Sequence, residues 1–135
     1  MKTISLFAIM IFTIVGAYSQ NLIGYNDVEI KEYMKENHMD MNPHNVTNNS
    51  FKYLKYSDNY ENQTLLFFLD PNLICQSVRL ICESRFKEEK VKEFNSIYKI
   101  SGKNRWIDNR DGKDYIIEIS DEKWFCVINI VQKNN

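Results

Sequence analysis

Two apolar runs set fifty residues apart constrain this chain more than any other feature. At that offset Leu66-Phe67-Phe68-Leu69-Asp70 lies over Ile116-Ile117-Glu118-Ile119-Ser120. The next run, Ile74-Cys75-Gln76-Ser77-Val78-Arg79-Leu80-Ile81, lies over Trp124-Phe125-Cys126-Val127-Ile128-Asn129-Ile130-Val131. Each copy reads as an amphipathic helix, a polar turn region and then strand-like runs, over about residues 27–82 and 84–131. The expectation is an α+β domain: two helix-plus-antiparallel-strand repeats forming two layers, with the helices on one face of an antiparallel sheet.

The segment ahead of the first copy is of a different kind. Met1-Lys2 gives a positive start, residues 4–15 are apolar apart from Thr13, and Ala17-Tyr18-Ser19 puts small residues where a signal peptidase reads them. The pattern predicts a signal peptide over residues 1–19, cut between Ser19 and Gln20, and an exported domain over 20–135. The apolar run is shorter than the roughly 20 residues of a comfortable span, and no later stretch is longer, so the mature form is expected to be soluble, in a periplasm or outside the cell. A formal charge of −1 offers no basic surface for nucleic acid.

The three cysteines are Cys75, Cys82 and Cys126. Cys75 and Cys82 cannot pair within one extended strand, because seven residues span roughly 23 Å against a usual disulfide Cα separation of about 5.5 Å. Cys82 with Cys126 is the candidate disulfide, both falling on apolar-facing positions. Buried thiols acting as small hydrophobes account for the pattern equally well.

Along the mature chain, Asn26 and Glu29 form a capping-box pair ahead of a helix over about residues 27–38, with Ile30, Tyr33 and Met34 inward. Asn42-Pro43 stops that helix, and a polar loop follows through Asn49. Strands are expected over 51–56, 63–69 and 74–82, then a helix over about 85–96 capped by Ser84. Short extended residues 98–100, a strand over 105–110 anchored by Trp106, and two final strands complete the chain. Asp111-Gly112 suits a two-residue type I′ hairpin turn.

Three chemistries compete for the polar residues. His38, Met39, Met41 and His44 offer imidazole and thioether donors of the kind that suit Cu(I), with Met34 beside them. The plainer account is preferred: Met34 belongs to the core stripe, and His38 complements a helix C-terminus. Residues 107–112 with Glu118 have partial calcium-loop spacing, but Ile107 stands where the first carboxylate is needed. A Cys–His nucleophile pair requires an exposed thiolate, and these cysteines lie in apolar strands. No catalytic residue is therefore nominated, and no cofactor. Tyr53, Tyr56, Tyr60, Trp106 and Tyr115 remain, several near strand ends, as a candidate recognition surface, although ordinary cross-strand packing is the preferred account.

The order of elements, a helix from Asp27, strands through Cys82, a helix from Arg85 and strands through Gln132, resembles beta-lactamase inhibitor protein-like domains and the related PepSY-like exported domains. That resemblance implies an inhibitor or binding module that meets a protein or peptide through an exposed sheet face. It transfers no functional residue. The leading expectation is thus a non-enzymatic exported binding module, and the alternative is copper binding through residues 34–44.

Overall fold

The computed structural model describes residues 21–46 and 50–134. The expected signal peptide and its expected cut between Ser19 and Gln20 lie outside the described residues. Helix α1 (Asp27–Asn37) precedes strands β1 (Met41–His44), β2 (Lys52–Asp58), β3 (Gln63–Leu69) and β4 (Cys75–Glu83). A 3-10 turn (Ser84–Phe86) leads into helix α2 (Lys87–Ile97), then β5 (Lys99–Gly102), β6 (Arg105–Arg110), β7 (Lys113–Asp121) and β8 (Phe125–Gln132). All eight strands belong to one antiparallel sheet, in the order β1-β2-β3-β4-β8-β7-β6-β5.

This corrects the expected α+β architecture. The fold is largely sheet, about half of the described residues, with two helices of eleven residues each. It is not a two-layer stack of two helix-plus-strand repeats. Seven inter-strand steps of about 4.8 Å make the sheet roughly 34 Å wide, whereas an eleven-residue helix is only about 16 Å long. Neither helix can therefore serve as a layer. The fifty-residue pattern is not a folding unit either, because β4 and β8 join strands from both halves into one sheet with one core cluster.

One face of the sheet carries that core. Cross-strand pairing aligns Leu65, Leu80, Ile128 and Ile119 in one row, and Phe67, Val78, Ile130 and Ile117 in the next. All eight are at most 6% exposed. Ile30 and Met34 of α1, Phe94 of α2, and Leu22 and Ile23 of the leading segment join them. Burying one such aliphatic side chain stabilises the fold by roughly 1.5–3 kcal/mol.

The leading segment is held as a strap. Gly24 N–H donates to the Cys75 carbonyl and Cys75 N–H to the Tyr25 carbonyl, each at 2.9 Å. From the other side Arg110 donates to the carbonyls of Asn21 and Ile23. Its guanidinium lies 5.7 Å from the Tyr25 ring centre and 4.8 Å from that of Tyr115. No helix of the described residues is long and apolar enough to cross a membrane.

Candidate functional site

The opposite face of the sheet follows from the same alternation. If Leu65, Phe67, Leu80 and Ile128 face the core, their neighbours in sequence must face outward. Register then aligns a polar row across six strands: Lys55, Leu66, Arg79, Asn129, Glu118 and Arg105. An apolar row flanks it: Tyr53, Phe68, Ser77, Val131, Ile116 and Ile107. A third, shorter row runs through Thr64, Ile81 and Val127. Both helices send their buried side chains to the other face, so no helix among the described residues covers this one.

The polar row is cross-linked. Arg79 Nε donates to Asn129 Oδ1 at 2.9 Å, and its guanidinium sits 5.6 Å from the Phe68 ring centre. Arg105 Nη1 meets Glu118 Oε1 at 2.8 Å. These contacts hold two forked cations in place beside half-buried aliphatic and aromatic side chains. Three cations and one carboxylate give the row a net positive charge in a chain whose formal charge is −1. At one end, Phe51, Tyr53, Leu66, Phe68 and Ile81 line a hollow of about 480 Å³. Phe51 is 67% exposed, and a second depression, lined by Trp124 at 73% exposure, shares Thr64 and Ile81 with the first.

The structure does not bring the five predicted aromatics together. Tyr53 is half-buried on the outer face and Tyr60 is exposed in the β2–β3 turn. Tyr56, Trp106 and Tyr115 are buried on the inner face, which fits the packing alternative and not a recognition surface for these three. Trp106 packs edge-on against Phe94 and donates its Nε1–H to Asn95 at 2.9 Å. Tyr56 packs edge-on against Phe67. Sequence reasoning missed Leu66, Phe68, Arg79 and Trp124, although one signal was available: in β3 both alternating sets are apolar, so one of them had to face away from the core.

Cys82 and Cys126 are direct cross-strand partners on the β4–β8 seam, with their sulfurs 2.7 Å apart as thiols. Burial pushes the Cys82 thiol up to about 12, and the neighbouring Cys126 adds to the effect. Burial likewise pushes Cys75 up to about 12, against the smaller opposing pull of its contact with the Ser77 carbonyl and of Arg110.

His38, Met39, Met41 and His44 line one hollow at the end of α1 and β1. Within it His44 is hydrogen-bonded to the Ser57 hydroxyl, Met41 packs on the core and Met39 is 85% exposed. His38 titrates below the usual histidine range because it is partly buried, an effect the charge of Asp40 partly offsets and that of Lys90 reinforces. Among the described residues no group of three or more His, Cys, Asp or Glu side chains could hold a metal ion. No protein-family model, curated protein or solved structure matches this chain.

Proposed function

We propose that this is an exported, non-catalytic binding module that recognises an acidic protein or peptide through the outer face of its sheet. The observation that carries the reading is the polar row with its excess of cations, bordered by apolar rows on a face that no described helix covers. The face is roughly 34 Å across the strands and about 20 Å along them, close to the roughly 800 Å² per partner of a standard interface. Fixed arginines beside aromatic and aliphatic side chains suit carboxylates set among apolar residues. The export reading rests on Met1-Lys2, the apolar run after it and Ala17-Tyr18-Ser19. The non-catalytic reading is supported by the burial of all three cysteines in strands.

A peptide-display selection on the purified protein tests this. Enriched sequences should alternate acidic and apolar residues, and amide shifts caused by the winning peptide should map to β3, β4 and β8. An Arg79→Glu/Arg105→Glu variant should lose the same peptides while keeping its melting curve. Selected peptides without acidic residues, or retained by that variant, would sink the proposal.

A further inference from the structure

The hollow between α1, β1 and β2 shares Tyr53 and Lys55 with the outer-face hollow but is otherwise lined by different residues. Its volume is about 760 Å³, within the roughly 300–1,000 Å³ range of small-molecule sites. Among the described residues β1 pairs with β2 at Lys55–Asp58, so residues 52–54 of β2 have a described strand neighbour on one side alone, and Tyr53 and Leu54 line the hollow there. Its floor is apolar: Met34 from α1, Met41 from β1, and Leu54 and Tyr56 from β2. Methionine suits such a floor because its unbranched, polarizable side chain repacks around varied shapes. Lys31 and Lys35, one turn apart on α1, and Lys55 from β2 line it as well, and among the described residues no Asp or Glu does. Lys31, itself well exposed, leans toward the half-buried Asp27 at 3.7 Å, a long pairing of small strength.

An apolar floor with cations and no carboxylates fits one class of ligand. We propose that this hollow binds an amphipathic anion, an aliphatic chain ending in a carboxylate or phosphate, with the chain against Met34, Met41 and Leu54 and the head between Lys31, Lys35 and Lys55. A neutral apolar ligand would leave the lysines unused, and a small polar anion would leave the floor wet. Lys55 is shared with the outer-face row, whereas Lys31 and Lys35 lie on a helix that packs on the opposite face of the sheet, so substituting those two tests this site apart from the outer-face reading.

Calorimetric titration of the purified protein with octanoate, decanoate and dodecanoate is the test. Affinity should rise by about fourfold per added methylene while the floor is being filled. 1-Dodecanol should bind about tenfold more weakly than dodecanoate, for want of the charged contact. Lys31→Gln/Lys35→Gln removes two exposed side chains, so it should keep the fold and weaken dodecanoate binding by about tenfold. Met41→Trp should abolish binding by filling the hollow; if it fails to fold, the lysine variant decides alone. Cosedimentation with phosphatidylglycerol vesicles separates the sources of the anion. Vesicle binding that the lysine variant loses identifies a membrane lipid headgroup, and soluble dodecanoate binding without it identifies a free acid. Absence of both, or binding that ignores chain length and the lysines, overturns the proposal.

Discussion

At the scale of single residues, burial decides what the reactive groups can do. Cys75 is fully buried, and its sulfur contacts the Ser77 carbonyl at 3.4 Å. Only the thiolate is nucleophilic, and with their thiols near 12 Cys75 and Cys82 hold almost none at neutral pH. Iodoacetamide at pH 8 should leave Cys75 and Cys82 untouched in the folded protein and alkylate all three cysteines in urea, as intact mass will show. Labelling of native Cys75 would mean that the strap over it opens readily. Arg110 closes that strap, since one forked cation holds the Asn21 and Ile23 carbonyls between two tyrosine rings. Arg110→Ala should cost about 2–3 kcal/mol in urea unfolding, the magnitude of losing charged hydrogen bonds to buried acceptors. Arg110→Lys should recover little of it, because an ammonium cannot fork. The burial of the cysteines could be read from their apolar strands, but the strap could not, because Asn21 and Arg110 lie 89 residues apart and neither shows a local pattern.

At the scale of elements, local chemistry was readable where it is self-contained. Asn26 and Glu29 close a reciprocal capping box, each hydrogen bond 2.9 Å long. Asn26→Ala should therefore cost about 1 kcal/mol, seen as a lower thermal midpoint with unchanged outer-face binding. Asp111 and Gly112 both adopt positive φ, 52° and 74°, as a two-residue type I′ hairpin requires. Legibility failed where tertiary pairing overrides the local signal. Met41-Asn42-Pro43-His44 reads as a helix stop and loop, yet it forms edge strand β1. An edge tolerates Pro43, whose missing N–H can face outward. Ser84 reads as a helix cap but begins a 3-10 turn without a side-chain cap, and α2 starts three residues later behind Phe86.

At the scale of the whole molecule, a sheet that reads as two separate halves is joined at one seam. Alternation says which residues share a face, but not which face is the core when both sets are apolar, as with Leu65 and Phe67 against Leu66 and Phe68 of β3. That choice is made by strands far away in sequence, whose pairing turns Leu65 and Phe67 to the core. The seam itself was better foreshadowed, since Cys82 and Cys126 stand opposite each other where β4 meets β8. Cys75 shares strand β4 with Cys82 and cannot compete for it. Refolding in mixed reduced and oxidised glutathione should therefore join Cys82 to Cys126, two protein thiols giving up their hydrogens to one glutathione disulfide. The bond would close a loop across 44 residues, and chain entropy then favours the folded state by up to about 4 kcal/mol. The oxidised form should unfold at higher urea than the reduced one, and dithiothreitol should return it. Cys75→Ala should leave the bridge intact, and Cys126→Ala should prevent it. A dominant product containing Cys75 would show that the seam forms after the thiols are oxidised, which would place the joining of the halves late in folding.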